Sequence, residues 1–184
     1  MKRFILISIL FLSLTPTIVK AQGLTPFKVD TVLYSEGKSA DALFEATRLW
    51  LSTNVDLGSQ NVTFSSDTDK KTYIGKAILK FMVNNLTWSA MSGVITCTYN
   101  IACRDGRVRF VVTDVVHDSS GHSGWDEGLI YEVIPDERNK GIGGKQHREV
   151  YKRVKKEVVE WFNTQCASLA SYLNVNKSIL YEDW

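Results

Sequence analysis

Two periodicities alternate along the chain. Residues 27–39, "FKVDTVLYSEGKS", place Val29, Thr31 and Leu33 opposite Asp30, Val32 and Tyr34, which predicts a first strand ended by a polar turn. From Ser39, a helix cap, Leu43, Phe44, Thr47, Trp50 and Leu51 recur at helical spacing and predict a first helix of about four turns. "NVTFSSD" and "TYIGKAILKFMVNN" follow as strands, the second with Tyr73, Ala77, Leu79, Phe81 and Val83 on one face and Gly75 as a candidate bulge or close backbone approach. Asp105-Gly106 is the two-residue hairpin turn in which both positions tolerate positive φ. It pairs Arg104 with Arg107. The same register sets Cys103 against Val108, Ile101 against Phe110, Tyr99 against Val112, Cys97 against Asp114 and Ile95 against Val116. That face is apolar apart from Asp114. Residues 129–134, "LIYEVI", predict one more strand. From Lys145 a long helix carries Val150, Tyr151, Val154, Val158, Trp161, Phe162, Gln165 and Leu169 on one stripe, with "KRVKKE" on its basic face.

Strand, helix, four or five antiparallel strands and a long helix make an α+β fold: one curved sheet with both helices packed on one face. The N-terminus adds a second expectation. Lys2 and Arg3 precede the apolar run "FILISILFLSL", and Val19 and Ala21 stand at −3 and −1 of a cleavage point. Residues 1–21 therefore read as a signal peptide cut after Ala21, and residues 22–184 as a single domain with a core at about 28–173. The apolar run falls short of the ~20 residues of a spanning helix, and no later segment is a membrane span, so the mature chain is expected in the periplasm or secreted.

Cleavage changes the charge picture. The chain has 22 Lys and Arg against 20 Asp and Glu. Lys2, Arg3 and Lys20 all lie in the leader, and losing them turns an excess of two bases into an excess of one acid. Nucleic acid is thus not an expected partner. With 184 residues and 44% apolar composition, the chain can bury a core without a disulfide framework. Cys97 and Cys103 lie too far apart on one strand, about 20 Å, to bridge. Either can reach Cys166, and three buried thiols are the other option.

Candidate chemistry is sparse. Asp114 reads as a structural buried acid, bonded to loop or helix-end backbone or to a Lys or Arg, against a catalytic acid in a pocket. "HDSSGHSGWDE" contains His117, Asp118, His122, Asp126 and Glu127. Of these, His117, His122 and Asp126 are the metal candidates, although the spacing matches no zinc pattern and His117 falls on the solvent face of the expected hairpin. Trp125 is either a partner or ligand contact, or a staple under its own loop. Residues 141–144, "GIGG", precede a helix but lack the P-loop lysine, and no GxSxG or Cys–His signature appears, so no cofactor or nucleophile is expected.

The element order together with "SADALFEATRLWL", "IGKAILKF" and "YNIACRDGRVRFVVTDVVHD", with Thr113-Asp114 near the end of the hairpin, resembles the DUF4468 family over roughly residues 31–173. The resemblance implies a TBP-like fold, export and a bacterial envelope setting, and it implies no activity. Three functions remain. The first is a non-catalytic module binding an envelope protein, peptide or glycan. The second is a helix-grip carrier lined by Tyr99, Phe110, Trp161 and Phe162, and the third is a metal-dependent hydrolase built on the 117–127 loop.

Overall fold

The computed structural model describes residues 23–53, 63–84, 86–119 and 125–173. The expected leader and His122 lie outside them. Six strands form one open antiparallel sheet: β1 (Val29–Tyr34), β2 (Thr63–Asp67), β3 (Thr72–Phe81), β4 (Gly93–Arg104), β5 (Arg107–Asp118) and β6 (Gly128–Leu129), in the order β1-β5-β4-β3-β2, with β6 on the far end of β5. Helices α1 (Ala40–Thr53) and α3 (Gly144–Tyr172) cover one face. A short α2 (Asp136–Lys140) and a 3-10 turn (Leu86–Met91) complete the described elements. The fold is α+β, as the periodicities indicate, and the helical stripes are the buried ones: Leu43, Phe44, Thr47, Trp50 and Leu51 on α1, and Val150, Tyr151, Val154, Val158 and Phe162 on α3.

Local chemistry explains how the elements start. Ser39 Oγ accepts the Ala42 N–H at 3.2 Å, and Asp105 Oδ1 accepts the Ala40 N–H at 2.7 Å. The carboxylate of the hairpin turn thus serves the start of α1 as well. Lys38 and Ser35 complete that junction through backbone bonds to Gly106. At the other end of α1, the fully buried Trp50 donates its indole N–H to Ser168 Oγ at 3.0 Å and meets the Phe110 ring edge-on, so α1, α3 and the sheet share one anchor.

The register departs from the expected one at a single point. Pairing runs regularly from Arg104 with Arg107 to Thr98 with Thr113. It then shifts, so that Thr96 meets Val116, Ile95 meets His117 and Val94 meets Asp118. Cys97 is opposed by two residues, Asp114 and Val115, which is a β-bulge. Asp114 occupies the left-handed region at φ 50°, a conformation that Asp tolerates better than most side chains. The expectations for five residues change. Asp114 is exposed, not a buried acid, and its carboxylate accepts a hydrogen bond from Thr113 Oγ1 at 3.1 Å. Val115 and His117 turn inward and are fully buried, while Val116 turns out. Gly75 is not the bulge, for β3 pairs with β4 without interruption through Gly75 and Tyr99.

The expected strand at 129–134 is divided. Gly128 and Leu129 pair with β5 just beyond the bulge, where β1 has ended. Tyr131 instead bridges Pro26, and Glu132 N donates to Thr25 O, so the N-terminal segment takes over as partner. Helix α2 replaces an expected loop. Pro135 stands at its N-cap, with Asp136 and Glu137 in the first turn and Arg138 and Lys140 in the last, which suits the helix dipole.

The bulge makes a test of the Asp114 assignment. In dilute protein, Asp114→Asn and Asp114→Gly are expected to leave stability within about 0.5 kcal/mol of wild type, because both residues accept positive φ. Asp114→Val is expected to cost about 1–2 kcal/mol. Urea denaturation measures all three, and a loss above 1 kcal/mol for the Asn variant would return Asp114 to the role of a buried acid.

Candidate functional site

The strongest cluster of ionisable groups is built by the bulge. With its parity reversed, His117 enters the core against the edge of Phe81, ring centroids 5.1 Å apart. Its Nε2 lies 3.0 Å from the Met91 carbonyl, and its Nδ1 accepts the Glu127 N–H at 3.3 Å. A carbonyl only accepts, so Nε2 carries the hydrogen and the imidazole is neutral. Burial holds its pKa below the usual histidine range. Glu127 in turn places Oε1 2.8 Å from His147 Nδ1 on α3, with the Glu127 side chain fully buried and Oε2 without a hydrogen-bond partner. Burial raises the Glu127 carboxyl above its ordinary value, and its contacts with His147 oppose that rise.

The flanking residues close the loop. Asp126 Oδ1 accepts both the N–H and the hydroxyl of Ser119, at 2.7 and 2.6 Å, which lowers its pKa. Trp125 is half-buried, its ring 5.2 Å from that of His147. Gly143, at φ 76°, lies directly beneath it, and a Cβ there would sit 3.0 Å from the indole. Gly144 is closer still to backbone, since its Cβ would fall 2.3 Å from the Asn139 carbonyl. The glycines of 141–144 thus serve the tight joint between α2 and α3.

Of the metal candidates, His117 spends both ring nitrogens on backbone, and Asp126 is committed to Ser119. His122 lies outside the described residues, and among those residues no three His, Cys, Asp or Glu side chains gather in a metal-holding group. His147 is the member that sequence reasoning missed. It stands thirty residues beyond His117, on an element whose start is hidden in a glycine-rich stretch, and only its place on the buried stripe of the helix marked it.

The other candidates are also placed. Cys97, Cys103 and Cys166 are buried thiols with no disulfide between them. Burial pushes Cys97 up to about 12 and Cys103 up to about 11, which removes the thiolate a nucleophile needs. Where the carrier reading puts a ligand, the protein's own rings meet. Phe110 contacts Tyr99 and Phe162 edge-to-face at 6.2 and 5.1 Å, all three at 3% exposure or less. Tyr99 Oη is buried there without a partner. The basic face of α3 borders a groove of about 330 Å³ in which Lys152, Arg153 and Lys156 alternate with Glu149 and Glu157.

The opposite face of the sheet carries no described helix. Four rows cross its three central strands: Ile74–Asn100–Val111, Lys76–Thr98–Thr113, Ile78–Thr96–Val116 and Lys80–Val94–Asp118. Asp114 stands beside Thr113 on this face, at the rim of a concavity of about 350 Å³ that Lys76, Ile78, Thr96, Thr98 and Val116 also line.

Buried His117 and Glu127 predict opposite pH limits. A histidine whose folded pKa is lowered contributes stability above its unfolded pKa, about 6.5, and that contribution is lost as pH falls through the folded value. A glutamate whose folded pKa is raised stabilises below its unfolded pKa, about 4.3, and that contribution is lost as pH rises through the folded value. His117→Gln should cost about 1–3 kcal/mol at pH 8, where a buried donor or acceptor is left unpaired. It should also flatten the fall in stability below about pH 6.5. Glu127→Gln should flatten the fall on the alkaline side. Urea melts from pH 4 to 9 decide both, and an unchanged acid slope in His117→Gln would contradict the buried neutral imidazole.

Comparison with known proteins adds the fold's relatives. Residues 30–118 match the family described as a domain of unknown function, DUF4468, with TBP-like fold. The chain is similar to the crystal structure of a DUF4468 family protein from Bacteroides ovatus, at 12% identity and a TM-score of 0.53, covering 83% of this chain and 89% of that one. It is also similar to that of a TBP-like protein from Parabacteroides distasonis, at 14% identity and a TM-score of 0.50, covering 75% of this chain and 91% of that one. At these identities the likeness is one of fold. No curated protein matches the chain.

Proposed function

We propose, from the premise that this chain is a DUF4468 family member across residues 30–118, that it is an exported, non-catalytic interaction module of the bacterial envelope that works through the open face of its sheet. One observation carries the reading: the two faces are used differently. On the helical face, aromatic rings fill the space a carried ligand needs, and the ionisable groups are spent on fastening a loop. On the other face, lysines, carboxylates, threonine hydroxyls and aliphatic side chains reach solvent together around a shallow concavity.

Export rests on the basic and apolar leader with small residues before Gln22. No helix among the described residues is long and apolar enough to cross a membrane. The hydrolase alternative needs a metal or an activated nucleophile. It draws no support from a His117 whose nitrogens are both occupied or from thiols held protonated.

The carrier alternative has one point in its favour, the unpartnered Tyr99 hydroxyl, and a substitution separates the readings. In a binding module Tyr99→Phe removes a buried group with no partner, so stability should hold or rise by about 1 kcal/mol. Native mass spectrometry of protein purified from its own envelope fraction should give the mass of the chain from Gln22, or a whole multiple of it. A small molecule that travels with wild type and is lost from Tyr99→Phe would establish the carrier instead.

A further inference from the structure

Within four rows of the open face the charges are segregated by strand, while Arg109, further along β5 on the same face, is paired with Asp30 of β1. Across β4, the outward residues of β3 alternate Ile74, Lys76, Ile78, Lys80, and the residues in their rows on β5 are Val111, Thr113, Val116 and Asp118, with the exposed bulge residue Asp114 beside Thr113. Lys80 thus has Asp118 in its own row, and Lys76 has Asp114 one residue beyond its row, each two strands away at about 10 Å or more by strand spacing. That is too far for the pairs to close within one sheet. The strand between them contributes only uncharged side chains: Val94, Thr96, Thr98 and Asn100.

A two-fold axis laid along β4, parallel to the sheet, exchanges β3 of one copy with β5 of another. Every row then finds its complement. Lys76 of each copy faces Thr113 of the other with Asp114 beside it, Lys80 faces Asp118, and Ile74 and Ile78 face Val111 and Val116. The β4 residues meet their own counterparts on the axis. Two sheets stacked at the usual ~10 Å, with strands nearly aligned, bring such side chains within reach. This is the condition for an isologous interface, in which residue i meets j and j meets i.

From this pattern we infer that the open face of the sheet is a self-association surface, and that its occupant is a second copy of this chain docked face to face about β4. The inference rests on the reading of that face as the working surface, and it names the partner. The chemistry favours a second copy over other occupants. The rows contain no aromatic side chain on which a sugar or base would stack. The two lysines and two aspartates cancel in charge, so a polyanion drawn to the β3 half meets repulsion at the β5 half. Ile74 is 46% exposed in the single chain, and Ile78, Val111 and Val116 are partly so, leaving apolar surface for a partner to cover.

The rows over three to five strands cover on the order of 400–650 Å² per copy, below the ~800 Å² of a standard interface. The dimer should therefore be weak, with a Kd in the micromolar range or above, and sensitive to salt.

Charge exchange tests the geometry. One variant carries Lys76→Glu with Lys80→Glu, the other Asp114→Lys with Asp118→Lys, and each should fold as judged by far-UV circular dichroism. Sedimentation of wild type from micromolar to millimolar concentration in low salt should show a monomer–dimer equilibrium that weakens as salt rises. Each variant alone places like charges opposite one another and should associate about tenfold or more weakly. Their equimolar mixture should recover association, because β3 of one then faces β5 of the other with opposite sign. If lysine at position 114 prevents folding, Lys80→Glu and Asp118→Lys alone repeat the test in ordinary extended backbone. A wild type that stays monomeric, variants that associate as wild type does, or a mixture that does not recover would each overturn the inference. A monomeric wild type would leave the interaction-module reading standing, since that reading falls on a bound small molecule.

Discussion

The bulge in β5 is the constraint on which the rest of the chain depends. A strand presents alternate residues to its two faces, so one inserted residue exchanges the faces of everything beyond it. Had the hairpin kept its first register to the end, Asp114, Val116 and Asp118 would face the helices and Val115 and His117 would face water. Two carboxylates would then lie in the core. With Asp114 accepting a left-handed backbone at φ 50°, a valine and a histidine enter the core and both aspartates leave it. The strain of one exposed residue, of order 1–2 kcal/mol, replaces the far larger cost of two buried charges.

The reversed parity then organises segments distant in sequence. His117 reaches Met91 on one side and Glu127 on the other, and Glu127 reaches His147 on α3. The 3-10 turn, the loop after β5 and the start of the long helix are joined by a single polar chain inside an otherwise apolar layer. Such a chain contributes little net energy when complete and costs much when broken, so it fixes arrangement more than it adds stability. Both ring nitrogens of His117, Nδ1 of His147, Oε1 of Glu127 and Oδ1 of Asp126 are committed to neighbours, while Glu127 Oε2 is buried without a hydrogen-bond partner among the described residues.

How much of this was legible from sequence follows from the range of each interaction. The Asp105-Gly106 turn and the alternation along β4 specify the hairpin as far as Thr113, because both signals are local. The helices were legible because fourteen and twenty-nine residues are long enough for a 3.6-residue period to stand out. Helix α2 and the 3-10 turn, of five and six residues, are too short to show one. The bulge left only a weak mark, because Val115 and Val116 are adjacent apolar residues but so are Phe110, Val111 and Val112 in the regularly paired part of the same strand. The pairing of Glu127 with His147 had no such mark, since it is created only when α3 crosses the sheet.

The same parity argument links the core to the open face. Of the residues that the bulge sends outward, Val116 and Asp118 oppose Ile78 and Lys80 across β4, and Asp114 stands beside Thr113, which opposes Lys76. Without the bulge, β5 would show Val115 and His117 there, and the face would hold lysines with no carboxylates in their rows. The device that closes the core therefore also sets the carboxylates of the far half of β5 across from the lysines of β3. Neither set can be neutralised by the other within one sheet, because β4 holds them two strand spacings apart. A surface so arranged is satisfied by water and salt or by its own rotated image. The second option excludes water from the aliphatic rows between the charges, which gives the rotated image an advantage that free ions do not have.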